Sequence, residues 1–158
     1  MNGKILVAGL ALVTVMTAAS VYYLQVYGYY DDVSELAGDD MRLTLLDGDQ
    51  IPLATTDFRA IDSDSSPLRY RACFTIDPAQ ADGAQPFDGA TPLNGPSWFH
   101  CYSARALTED LASGQARAYL GQPEIRPDVD RVIAVYPDGR AFAWHQLNDK
   151  TPERGVMD

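Results

Sequence analysis

Positive charge is scarce in this chain: 12 Lys and Arg stand against 22 Asp and Glu, for a formal net charge of −10. That balance excludes nucleic acid as an expected partner, because a phosphate backbone calls for a basic face. Histidine and cysteine are equally sparse, with only His100, His145, Cys73 and Cys101. The two cysteines form no C-x-x-C pair, and H-E-x-x-H, G-x-S-x-G, S-x-x-K and a glycine-rich phosphate loop do not occur. Asp62-Ser63-Asp64-Ser65-Ser66-Pro67 has neither the glycine nor the distal glutamate of an EF-hand loop. The soft-ligand set His100, His145, Cys101 and Met157 has no motif-grade spacing, and neighbours on a strand point to opposite faces, so no metal and no cofactor are expected. Asp62 with Asp64, and Asp128 with Asp130, read as solvated turn acids rather than an acid/base pair. The expectation is a protein that is not an enzyme.

What the chain does have is an N-terminal ramp. Ile5 to Leu24 carries no charge, and twenty helical residues rise about 30 Å, the thickness of a bilayer's hydrocarbon layer. Tyr22, Tyr23, Tyr27, Tyr29 and Tyr30 follow, five of the nine tyrosines, at the level where amphipathic rings favour the membrane interface. Lys4 precedes the span, whereas Asp31, Asp32, Glu35, Asp39 and Asp40 follow it before any base. The positive-inside rule places the N-terminus in the cytoplasm and the remainder on the far side of the membrane. A cleaved signal peptide, with small residues at Thr17-Ala18-Ala19-Ser20, is the rival reading; the length of the apolar run and the aromatic belt favour a retained anchor. Ala8, Ala11, Thr14 and Ala18 share a narrow arc that would let another membrane helix approach, although alanine and threonine are also common in single spans.

The domain organisation expected is an anchor with its belt over 1–30, a polar spacer or helical continuation over 31–40, an α+β domain over 41–148 and a polar tail over 149–158. The fold expected for that domain is a small antiparallel sheet with one main helix. Past the span lie eleven bases and all 22 acids, a solubilising surface that opposes approach to anionic lipid. Cys73 and Cys101 there are expected to form a disulfide, with free redox or metal-binding thiols as the alternative.

Along the domain, Arg42–Leu46 and Ile51–Leu53 read as a hairpin around Asp47-Gly48-Asp49. Leu68 to Ile76 alternates, which puts Leu68, Tyr70, Ala72, Phe74 and Ile76 on one face and Arg69, Arg71, Cys73 and Thr75 on a polar, surface-facing one. Asp77 to Ser97, with four prolines and three glycines, reads as a long loop, and Trp98 to Tyr102 as a strand. Ser103 caps a helix over Ala104–Ser113 that Gly114 stops, with Gln115–Leu120 as a further turn or two of helix. Arg131–Tyr136 and Arg140–Leu147 form a hairpin around Pro137-Asp138-Gly139.

Three strings stand out: Tyr22-Tyr23-Leu24-Gln25-Val26-Tyr27, Trp98-Phe99-His100-Cys101-Tyr102 and Tyr136-Pro137-Asp138-Gly139-Arg140. On these the chain resembles a family of uncharacterised single-pass membrane proteins of alphaproteobacteria, a domain of unknown function. The resemblance implies a bacterial inner-membrane setting and carries over no catalytic residue. The function expected is a non-enzymatic accessory subunit or assembly factor, with the bilayer and a membrane or periplasmic protein as partners. The alternative is an exported small-ligand sensor, its pocket lined by Tyr70, Phe74, Trp98 or Trp144 and its lid the Asp77–Ser97 loop.

Overall fold

The computed structural model describes residues 2–35 and 40–150. Helix α1 (Gly3–Tyr23) is exposed along its whole length and continues through one π-helical turn, Leu24–Gly28. Residues Gly3–Gly28 are long and apolar enough to cross a membrane. Only Tyr29 and Tyr30 separate this turn from β1 (Asp31–Asp32), the first strand of the main sheet.

That sheet has six strands in the order β1-β4-β5-β8-β7-β6, and every neighbouring pair is antiparallel. The remaining strands of the set are β4 (Thr56–Asp62), β5 (Arg71–Thr75), β6 (Arg117–Arg126), β7 (Val129–Val135) and β8 (Arg140–Leu147). A separate hairpin joins β2 (Arg42–Thr44) to β3 (Gln50–Pro52). Among the described residues the domain has one α-helix, α2 (Ala104–Ser113), and a short 3-10 turn at Pro78–Ala81, so the fold is α+β.

Both faces of the sheet are covered. On one, Met41, Leu43 and Leu53 of the small hairpin pack on Tyr70, Ala72, Phe74, Ile133 and Ala143. On the other, Leu107 of α2 joins Phe99 and Tyr102 over Cys73, Val132, Ala134 and Trp144. Strand β7 is consequently buried at every position. Burying a side chain such as Leu107 is worth about 2 kcal/mol, enough to hold a ten-residue helix that would be marginal alone.

Local chemistry explains α2. The Ser103 hydroxyl accepts from the Ala106 N–H, and Gly114 takes the left-handed conformation, φ 75°, that ends the helix.

Several expectations are corrected. Gln115–Leu120 does not extend the helix: from Arg117 the chain is β6, hydrogen-bonded to β7. Gly121 and Pro123 lie where the β6–β7 register shifts, and such irregularities admit residues that a regular ladder excludes. Trp98–Tyr102 is a pair of turns rather than a strand, closed by Phe99 N–H to the Pro96 carbonyl and Tyr102 N–H to the Phe99 carbonyl. Its aromatics are drawn onto the second sheet face and the foot of α1 instead of alternating. Cys73 does not face solvent: it is 6% exposed, because α2 and the Trp98 turns cover the face read as polar.

Asp31 and Asp32, placed in the spacer, pair with Asp62 and Ile61 of β4, and the Val33 N–H donates to the Ala60 carbonyl. They satisfy backbone groups that β4 would otherwise leave open. The rest of that expected spacer, residues 36–39, and most of the expected tail, from 151, lie outside the described residues.

Gly139 offers a direct check on the β7–β8 hairpin. It has φ 91°, and an added Cβ would meet the Ile76 carbonyl oxygen at 2.6 Å; Gly48, also at φ 91°, has open space around it. Gly48→Ala is expected to cost about 1–2 kcal/mol from backbone strain alone, and Gly139→Ala more, by urea unfolding. Equal losses would show that the contact with Ile76 is unimportant.

Candidate functional site

The foot of α1 is where the helix and the domain meet. A helix leaves its last carbonyls without intrahelical partners, and the Val26 carbonyl accepts from the Trp98 indole N–H at 2.6 Å. Tyr27 stacks on the same indole at 6.1 Å between centroids, Tyr30 meets it edge-on at 6.0 Å, and Tyr23 stacks on Tyr27. The Arg69 guanidinium lies over Tyr29 at 5.8 Å and over Tyr30 at 5.5 Å. Thus three of the tyrosines expected at the membrane interface, Tyr27, Tyr29 and Tyr30, also form a collar with Trp98 and Arg69. Tyr22 and Tyr23 remain exposed on the helix.

Two devices hold the collar in place. Cys73 and Cys101 form a disulfide across 28 residues, tying the turn that carries Trp98 to β5. A loop of that length is worth about 3–4 kcal/mol on the chain-entropy account. Arg71, 3% exposed, donates from Nε to the Leu93 carbonyl, from Nη2 to that of Asn94 and from Nη1 to those of Leu68 and Tyr70. Its face covers the Tyr102 ring at 5.6 Å. Burial lowers the Arg71 pKa, and the surrounding carbonyl dipoles keep the cation satisfied without a carboxylate.

A second polar cluster lies inside the sheet. Arg131 Nε donates to His145 Nε2 at 3.1 Å, so the imidazole proton sits on Nδ1 and is donated to the Pro67 carbonyl at 2.8 Å. Arg131 Nη1 donates to Gln122 Oε1, and the Tyr70 ring packs against both members of the pair, 4.4 Å from Arg131 and 4.6 Å from His145. With both ring nitrogens engaged, His145 has none to offer a substrate proton. An open cavity of about 430 Å³ borders His145, lined also by Asp62, Ser63, Asp64 and Arg126. Desolvation raises the Asp62 pKa above the carboxylate norm, against the pull of Arg126 and Arg131. The Tyr70 hydroxyl is buried and makes no hydrogen bond among the described residues.

A larger groove, about 580 Å³, runs between α2 and β6 and is lined by Phe87, Ala90, Leu111, Ala116, Ala118 and Tyr119. It is distinct from the pocket expected around Tyr70, Phe74, Trp98 or Trp144: Tyr70, Phe74 and Trp144 are buried in the packed core, and the half-buried Trp98 belongs to the collar. Ala8, Ala11, Thr14 and Ala18 are exposed on α1, and the Thr14 hydroxyl donates back to the Leu10 carbonyl. No cluster of three or more metal-ligating His, Cys, Asp or Glu occurs among the described residues. Cys101 is committed to the disulfide, and Met157 of the imagined soft-ligand set lies outside the described residues.

Sequence reasoning found the tyrosines and the cysteines but missed the roles of Trp98, Arg69 and Arg131. The one available signal for Trp98 was its place in an aromatic string beside a cysteine. Nothing local marks Arg69 or Arg131.

A family model described as a family of unknown function, DUF6446, matches residues 41–154. The chain belongs to this family. The DUF6446 match includes Arg69, Arg71, Trp98, Arg131 and both cysteines, while α1 and the collar tyrosines precede it. No curated protein and no solved structure matches the chain.

The inner cluster gives stability a pH signature. Burial, reinforced by the Arg131 charge, lowers the His145 pKa to about 3 from an ordinary 6.5. The unfolded chain therefore takes up the proton first as pH falls, and stability is full above about pH 6.5 and is lost progressively toward pH 3. Urea unfolding at pH 7, 6 and 5 is expected to show a loss approaching about 1.4 kcal/mol per pH unit, with that contribution removed in His145→Gln. An identical slope in the variant would rule out His145 as its source.

Proposed function

We propose that this protein is a single-pass inner-membrane protein, N-terminus in the cytoplasm, whose acidic periplasmic domain acts as a non-enzymatic accessory subunit or assembly factor of a membrane complex. The observation that carries the reading is the Trp98–Val26 hydrogen bond within the aromatic collar. With Tyr29 and Tyr30 alone between the π-helical turn and β1, and both in ring contacts, the domain has a set attitude relative to the helix. A fixed attitude suits a subunit that must meet a membrane neighbour in one orientation. A free-ranging binding domain would be better served by a long flexible tether.

The charge order supports the topology: Lys4 stands before the span and a run of acids behind it. The engaged nitrogens of His145 and the disulfide at Cys101 support a role other than catalysis.

Extraction of the full chain in mild detergent is expected to bring down a membrane protein at fixed ratio, with residues 1–19 retained by intact mass. Trp98→Ala should weaken that association while leaving the disulfide intact. A lone monomer carrying its full N-terminus would count against the accessory role, and a chain beginning at Ser20 would remove the anchor.

The alternative, an exported small-ligand binding domain, draws on the groove between α2 and β6, whose wall includes Phe87 and Asp88 of the long loop. On that reading, a tryptophan side chain introduced at Ala116 should abolish retention of a co-purifying small molecule by native mass spectrometry. If the wild type retains none, the sensor reading fails.

A further inference from the structure

Among the described residues, the Arg69 side chain has no ionic or hydrogen-bonded partner. Its guanidinium is half-buried over the Tyr29 and Tyr30 rings, and Nη1 is fully buried with no hydrogen bond among the described residues. None of the ion pairs among those residues involves it. Cation–π contact compensates part of the desolvation of such a group but supplies no acceptor. By contrast Arg71, two residues on, has its donors met by carbonyls.

Depth along the chain gives Arg69 a chemical neighbour. If the apolar run from Ile5 to Leu24 fills the hydrocarbon layer, Tyr29 and Tyr30 lie within about 10 Å of its edge, at the level of the lipid phosphates. A guanidinium held there over aromatic rings faces the anionic acceptor of that layer, the phosphodiester. A phosphodiester takes two parallel N–H bonds from one edge of a guanidinium, and the Nε/Nη2 edge of the half-buried Arg69, unlike Nη1, is not sealed from the surface and can offer them.

We propose that Arg69, with Tyr29 and Tyr30, is a binding site for the phosphodiester of a membrane phospholipid, seating the domain against the bilayer surface. The site rests on the membrane-anchored reading above. It also offsets locally the repulsion between an acidic domain and anionic lipid.

The test uses the full chain in nanodiscs of phosphatidylglycerol and phosphatidylcholine, released for native mass spectrometry. Wild-type protein is expected to keep a bound phospholipid, Arg69→Gln to lose it by about five-fold, and Arg69→Lys to keep an intermediate amount. Intact mass confirms the disulfide and the N-terminus in each variant. Equal lipid retention in wild type and Arg69→Gln would overturn the site while leaving the anchor untouched. Binding of inorganic phosphate with displacement of the lipid would overturn its assignment to the membrane. A chain that has lost residues 1–19 would overturn the anchor and the site together.

Discussion

Closing the chain between Cys73 and Cys101 forces a stretch with four prolines and three glycines to lie along the sheet, and much else depends on where that stretch is held. Irregular backbone packed against a sheet has no ladder partners, so the carbonyls it turns away from water need other donors. Here Arg71 takes those of Leu93 and Asn94, so a covalent bond and a buried cation fix the loop from the same strand. Phe99 and Tyr102 then complete the second core, and Trp98 comes to the foot of α1. The disulfide thereby links the packing of the domain to the attitude of helix α1.

Two arginines, Arg71 and Arg131, are buried in a domain that carries an excess of acid. Neither uses a carboxylate as its main partner: one is met by backbone carbonyls, the other by a neutral histidine, an amide oxygen and an aromatic face. Both are cations in sheet strands beside buried tyrosines, an arrangement that tolerates charge through dipoles and π density. Among the described residues one carboxylate is buried, Asp130, which accepts from the Glu124 N–H and Asn148 Nδ2; the others keep contact with solvent, where charge costs little. Arg69 differs in having the rings without the acceptors.

Legibility from sequence tracked how local the deciding interaction was. The Ser103 cap, the Gly114 stop and the Pro137-Asp138-Gly139 turn act within a few residues, and α2 and the β7–β8 hairpin were read from them. The stretch after Gly114 was misread because β6 is made a strand by partners on β7, and it tolerates Gly121 and Pro123 at register shifts that no local pattern announces. Cys73 was placed on a polar face because Arg69 and Arg71 flank it, yet Arg71 turns sideways to loop carbonyls and Arg69 to the Tyr29 and Tyr30 rings, which leaves the cysteine in the core. For the site, the tyrosines were visible as composition, whereas the collar needed Trp98 from more than seventy positions away.

The sequence by itself determined an apolar span with an aromatic end, an acidic domain, a single pair of cysteines and the positions of the best-capped helix and tightest turn. These follow from composition, periodicity and short-range sterics, which act on neighbours. Only the tertiary structure decided that β1 follows the apolar helix with two residues between, that the face beside Cys73 is core, and that Arg69 lies over Tyr29 and Tyr30. Each of those depends on a contact between distant segments, whose free energy is realised only when the whole sheet is assembled.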